Sequence, residues 1–285
     1  MLRRSENTDG PARLKVGILV VGSLYWDEQP HRQRWRENRL VMRDARRVWL
    51  PIRYGRLSPS RSNTYTMVFS TRCYRRKPLG TGWVIPCQRD VACFDDLLDE
   101  VCELAGAEGL NSWTWGAVAL LKEFSHRLPP GFLGQWRRYF ASKTRSCRVI
   151  DTHLSSEWPA LGKSGALRIR WPQPVEGPRV ELDLLLATPT EPTIIRRNRV
   201  SHRYPSAQEV GAVFAKRNYP DYFINNIRNG ITTPDDPQIW TAMIRIRPNW
   251  KQQYSDVAQL LAERGSEDVS DRSTLKSLPL FESAE

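Results

Sequence analysis

Apolar residues fall into short runs separated by glycine, proline and polar clusters, and the period of those runs changes part-way along the chain. Leu14 to Gly22 (LKVGILVVG) is rich in β-branched residues and bounded by Pro11 and Gly22-Ser23, which predicts a buried strand. Arg46 to Tyr54, Asn63 to Ser70 and Gly80 to Cys87 read as further strands, with alternation clearest in the second. Together they predict a meandering sheet. From Phe94 the spacing becomes helical: Phe94, Leu97, Leu98, Val101, Cys102 and Leu104 share a face, with Asp95 and Asp96 in the first turn, where the helix dipole favours acids. The helix is expected to stop at Gly106, which puts Glu108 in a turn before an apolar strand from Trp113 to Leu121.

Between residues 123 and 178 the pattern weakens and prolines multiply, so this stretch reads as an insertion or subdomain. Leu167 to Trp171 and Val180 to Ala187 are strand candidates within and after it. The rest is mostly helical. Ser206 and Glu209 form a capping-box pattern opening a helix to about Lys216, and Tyr219 to Arg228 forms another, with Gly230 suited to a left-handed stop. Thr233-Pro234-Asp235-Asp236 reads as N-cap, first-position proline and two first-turn acids, ahead of Ile239, Trp240 and Met243. The expected organisation is a flexible stretch over 1–13, one domain over 14–264 and a mobile acidic tail over 265–285.

Composition narrows the classes without choosing among them. No apolar run approaches the length of a membrane span, and the N-terminus shows no signal-peptide pattern, so a soluble cytoplasmic protein is expected. The five cysteines include no C-x-x-C pair, which argues against a zinc ribbon or a disulfide framework. Net charge is +12; the last 21 residues carry a net −3, leaving +15 on the remainder. That excess, clustered at Arg32 to Arg47, Arg72 to Lys77, Arg137-Arg138 and Arg196 to Arg203, favours an anionic partner: a small acid, a nucleotide or nucleic acid. Several aromatics lie close to arginines, as in surfaces that stack unpaired bases.

The sharpest local feature is Gly22-Ser23-Leu24-Tyr25-Trp26-Asp27, directly after the first strand. A glycine there lets the backbone approach a ligand and present successive N–H groups to an anion or oxyanion. Dinucleotide and P-loop glycine patterns are absent. The segment resembles the Y-G-S-L loop of the γ-glutamyl cyclotransferase-like proteins, in particular the bacterial branch written A-Y-G-S-L-I-W-D-P. Pro51 to Ser58 with Arg61 is similar to that branch's arginine-bearing strand, Val180 to Pro189 to a later strand, and Asn225 to Pro234 to a helix terminus. The resemblance spans Val16 to Ile244 except for residues 123–178.

It implies an α+β fold built on a small mixed β-barrel with flanking helices, and closure of a γ-glutamyl amine or amide to 5-oxoproline. Gly22, Ser23, Leu24 and Tyr25 would bind substrate, Arg56 and Arg61 would clamp its carboxylate, and a glutamate would move the proton. Glu108-Gly109 matches the family's glutamate best; Glu103 and Glu100 are alternatives. No metal or organic cofactor is implied. Two departures stand out: Val21 replaces the aromatic residue expected before Gly22, with Tyr25 as a substitute from the other side, and the insertion and basic patches have no counterpart. Hence the alternative reading, a non-catalytic relative that binds an anionic ligand, nucleotide or nucleic acid. His31, His126, His153 and His202 form no metal or catalytic motif.

Overall fold

The computed structural model describes residues 13–76, 79–111, 113, 115–123, 128–144, 160–190, 192, 195–196, 199–200 and 204–267. All but Arg13 of the expected flexible N-terminus and almost all of the acidic tail lie outside the described residues, as do Cys147, His126, His153 and His202. In chain order the main elements are β1 (Val16–Val20), α1 (Pro30–Arg39), β2 (Arg46–Leu50), β3 (Ile52–Ser58), β4 (Thr64–Phe69), α2 (Cys73–Arg76), β5 (Gly80–Pro86) and α3 (Phe94–Glu108). They continue with β6 (Ala119–Lys122), α4 (Phe132–Thr144), β7 (Gln173–Pro174), β8 (Leu184–Ala187), β9 (Ile195–Arg196), β10 (Arg199–Val200) and α5 (Ala207–Arg217). The helices α6 (Asp221–Arg228), α7 (Asp236–Ile246), α8 (Trp250–Gln253) and α9 (Ser255–Glu267) complete the chain.

The mixed α+β class expected from the sequence is observed. Six strands form one sheet in the order β6-β8-β1-β5-β2-β7. β1 is central, every residue of it is buried, and it pairs parallel with β8 and antiparallel with β5. A strand covered on both faces needs no polar alternation, which is why its sequence is a continuous apolar run. β3 and β4 pair with each other as a separate hairpin, and no pairing between described strands closes the sheet into a barrel.

Several boundaries differ from expectation for definable reasons. The run from Arg46 to Tyr54 is two strands, because Pro51 lacks the N–H that would continue the β2 ladder and the chain turns there into β3. α3 runs through Gly106 and ends at Glu108, with Gly109 as the left-handed cap at φ 80°. Glu108 is therefore the last residue of the helix rather than a turn residue. Trp113 to Leu121 contributes only β6 from Ala119, and Trp113 itself sits at φ 50°. Leu167 to Trp171 makes an isolated bridge, Leu161 to Leu167, rather than a strand, and Val180 to Ala187 is regular only from Leu184.

At the start of α7 the cap is inverted relative to the expected one. Asp236 accepts from Thr233, through its N–H at 2.7 Å and its hydroxyl at 2.5 Å, and the first-turn proline is Pro237 rather than Pro234. The expected Ser206–Glu209 capping box is present, and Gly230 adopts φ 68°. The described part of the 123–178 stretch packs on the main core rather than apart from it. Trp136, Phe140, Leu161 and Leu167 belong to the same buried cluster as β1, and β7 extends the sheet beyond β2. Among the described residues no helix is long and apolar enough to cross a membrane.

Candidate active site

β1 ends at Val20, and the chain then coils tightly. Tyr25 N–H donates to the Gly22 carbonyl at 3.0 Å, and Asp27 N–H to the Ser23 carbonyl at 2.8 Å. The N–H groups of Ser23 and Leu24 have no acceptor among the described residues. They lie at the wall of a cleft of about 100 Å³ that is also lined by Glu108, Arg56, Arg61, Arg32, Trp115 and Tyr222. On this measure a single water needs about 10–15 Å³, so the cleft holds several waters or a group of amino-acid size. Ser58, Ser60 and Thr66 from the hairpin, with Thr188 and Thr190 beyond β8, add hydroxyls to its rim.

Glu108 reaches the cleft because α3 carries on past Gly106 for one more half-turn. The same helix terminus is tied to the loop by Arg32 of α1, whose Nε donates to the Ala107 carbonyl at 3.1 Å and whose Nη1 donates to Ser23 Oγ at 3.0 Å. Asp27 anchors that guanidinium at 2.7 Å and the Arg61 guanidinium at 3.0 Å. Burial pushes the Asp27 carboxyl up, but the Gln29 N–H, Arg32 and Arg61 outweigh it and hold Asp27 below the usual carboxylate range. Asp27 therefore stays ionised and fixes two of the three cleft arginines.

Arg56 is different. Its guanidinium lies 3.9 Å from the centre of the Trp115 ring and has neither an ion pair nor a hydrogen-bond acceptor among the described residues. It is brought here by a bulge: Tyr54 pairs with Met67 and Arg56 with Thr66, leaving Gly55 as the extra residue. The extra residue shifts the alternation, so Arg56 does not share the buried face of Tyr54. A Cβ at Gly55 would meet Val68 and the Tyr204 ring, at 2.6 and 3.0 Å, so only glycine fits the bulge. Burial lowers the Arg56 pKa, opposed first by Glu108.

Glu108 also has no hydrogen bond or ion pair among the described residues. Exclusion of water pushes its carboxyl above the usual range, against the pull of Arg32, Arg56 and Arg61. The result is an unengaged carboxyl on a residue that lines the same cleft as Ser23, Leu24 and Arg56.

Of the residues expected from the sequence, Gly22, Ser23, Leu24, Arg56, Arg61 and Glu108 meet at one cleft. Tyr25 does not line it: its ring stacks on Trp83 at 4.8 Å with planes 7° apart. Glu103 is exposed on α3 away from the cleft, and Glu100 is buried in an ion pair with Arg39 at 2.8 Å. Arg61 is taken by Asp27 and by the ring faces of Tyr222 and Trp26, at 5.0 and 5.5 Å. Arg32, Trp115 and Tyr222 were not singled out by sequence as site residues. Nothing local marks them, although Arg32 opens a basic run. Among the described residues no group of three or more His, Cys, Asp and Glu side chains could hold a metal ion. Comparison with protein-family models, with curated proteins and with solved structures finds no match for this chain.

Proposed function

We propose that the cleft carries out an intramolecular acyl transfer, closing a γ-glutamyl amine or amide to 5-oxoproline with release of the amine. The observation that carries this reading is the shared cleft: a free carboxyl with a raised pKa, Glu108, beside two unengaged backbone N–H groups and an unpaired arginine. The amine and the acyl carbon belong to one substrate molecule. Holding that molecule folded supplies an ordering term that reaches about 10⁵–10⁸ M in effective concentration for well-aligned intramolecular reactions.

Each group then has a role. Arg56 holds the substrate α-carboxylate through its guanidinium fork, stiffened by the Trp115 stack. Glu108 takes a proton from the α-ammonium as the nitrogen attacks the γ-carbonyl and gives it to the departing nitrogen, and the second proton of the ring nitrogen follows to the same amine as the C–N bond breaks, so that it leaves as an ammonium ion. A carboxyl raised toward neutrality suits both halves of that exchange. The Ser23 and Leu24 N–H groups receive the oxygen of the tetrahedral intermediate. Ring closure, proton transfer and C–N cleavage balance without metal, oxidant or cosubstrate.

The resemblance to the γ-glutamyl cyclotransferase-like proteins supports the same chemistry, and on that reading the sheet and the β3–β4 hairpin are the two walls of that family's small barrel. An anion-binding protein without turnover is the second reading, favoured by the unpaired Arg56 and the basic surface. The test is mass-spectrometric detection of 5-oxoproline after wild type and Glu108→Gln are incubated with γ-glutamyl dipeptides, γ-glutamyl amines and glutathione. Product from the wild type alone supports the reaction and the role of Glu108. Equal product from both removes Glu108, and no product from either favours the anion-binding reading.

A further inference from the structure

The cleft contains a phenol that comes from neither position 21 nor Tyr25. Tyr222 lies on α6, some 200 residues after the Gly22 loop, and is buried with 3% of its surface exposed. Its ring is locked between Trp26, at 6.1 Å, and Tyr54, edge-on at 6.4 Å, with the Arg61 guanidinium 5.0 Å from its centre. Its hydroxyl is so close to the loop that a Cβ built on Gly22 would lie 2.5 Å from the phenol oxygen. The oxygen already accepts a hydrogen bond from the Met67 N–H at 3.3 Å. A phenol has one hydrogen to give: the Asn226 side chain, one turn on along α6, acts on the oxygen in the sense that favours its ionised form, and no hydrogen bond donated by the hydroxyl itself is formed among the described residues. A buried hydroxyl with its acceptor side used and its donor side unspent calls for a ligand oxygen.

We infer that Tyr222 is a donor to the ligand: its hydroxyl completes, with the Ser23 and Leu24 N–H groups, a three-donor cradle for the carbonyl oxygen of the molecule in the cleft. No bond to hydrogen is broken in this role. The phenol donates while the oxygen carries partial negative charge and keeps its proton throughout. Burial, opposed chiefly by Arg61, raises the Tyr222 pKa, so the donor form persists across the physiological range. Gly22 is then explained as the residue that leaves room for this hydroxyl.

The assignment rests on the acyl-transfer reading for the identity of the oxygen, and two readouts separate them. Tyr222→Phe keeps the ring and removes only the donor. With γ-glutamyl substrates it is expected to lower kcat about 10²- to 10³-fold with KM changed far less, as for loss of one oxyanion donor. Independently of turnover, protein labelled with ¹³C at tyrosine Cζ is titrated with 5-oxo-L-proline and with L-glutamine. The Tyr222 resonance, assigned by its absence from Tyr222→Phe, is expected to shift on saturation. A resonance that stays in place through both titrations overturns the assignment, as does wild-type kcat in Tyr222→Phe. A shift in a protein that makes no 5-oxoproline supports the donor and overturns the cyclisation.

Discussion

The contact between Gly22 and Tyr222 can be tested by folding alone. Gly22 is not at positive φ, so alanine is not barred there by backbone preference, and the obstacle is space. An alanine Cβ would lie 2.5 Å from the Tyr222 hydroxyl oxygen but 3.4 Å from Cζ and 3.7 Å from Cε2. The first distance is well inside van der Waals contact, whereas the other two are tolerable. Because the Tyr222 ring is held by Trp26, Tyr54 and Arg61, it cannot swing clear. Gly22→Ala should therefore cost about 1–3 kcal/mol, the usual range for overpacking a tight site. Tyr222→Phe should cost about 1 kcal/mol, since the Met67 N–H loses its acceptor. In the double variant the clashing atom is gone, so the alanine adds little to the cost of the phenylalanine. Urea unfolding of the four proteins should give a favourable coupling of about 1–2 kcal/mol, against about 0.3–0.5 kcal/mol for independent sites. Costs that simply add would refute the placement of Tyr222 against the loop.

Other perturbations follow from the electrostatics of the cleft. The folded state raises the Glu108 pKa, so it binds that proton more tightly than the unfolded chain; the resulting stability is full below the unfolded value of about 4.3 and is lost as pH rises through the folded value. Glu108→Gln lacks this titration, and its urea midpoint should fall less than that of the wild type between pH 4 and pH 8; parallel curves would contradict the raised pKa. Asp27 has the opposite sign, its stabilisation being present above about pH 3.9 and lost as pH falls through its lowered folded value. Asp27→Asn leaves Arg32 and Arg61 without their shared carboxylate and should cost about 3–5 kcal/mol at pH 7, less whatever water reaches a site 12% exposed; a loss below about 1 kcal/mol in thermal unfolding would show the pair to be incidental. Arg56→Lys keeps the charge but loses the planar fork and the Trp115 stack, so KM for a carboxylate-bearing substrate should rise about tenfold or more while the unfolding midpoint barely moves.

The local pattern held a good deal of this arrangement. The continuous apolar run of β1, the helical spacing of α3 and the Ser206–Glu209 capping box are set by interactions within a few residues, so each was legible before any tertiary contact was known. The Gly22-Ser23-Leu24 loop stood out locally as a glycine after a buried strand, whereas Glu108 was named only through the family resemblance and was expected in a turn, because the helix was expected to stop at Gly106 rather than at Gly109. Their meeting in one cleft was not legible, since it depends on how α3 packs against α1, whose Arg32 ties the last turn of α3 to the loop after β1.

What the sequence by itself determined is therefore the mixed α+β class, the buried first strand, the excess of basic residues and the candidate loop. The tertiary structure alone decided that Tyr25 faces Trp83 while Tyr222 supplies the phenol, and that Arg61 is spent on Asp27 while Arg56 is left unpaired. The physical reason is reach. Periodicity and capping are governed by neighbours three or four positions apart, whereas the space a side chain enters and the charge it finds there come from distant residues, from Asp27 and Arg61, 34 positions apart, to Gly22 and Tyr222 at opposite ends of the fold's sequence, brought close only when the core packs.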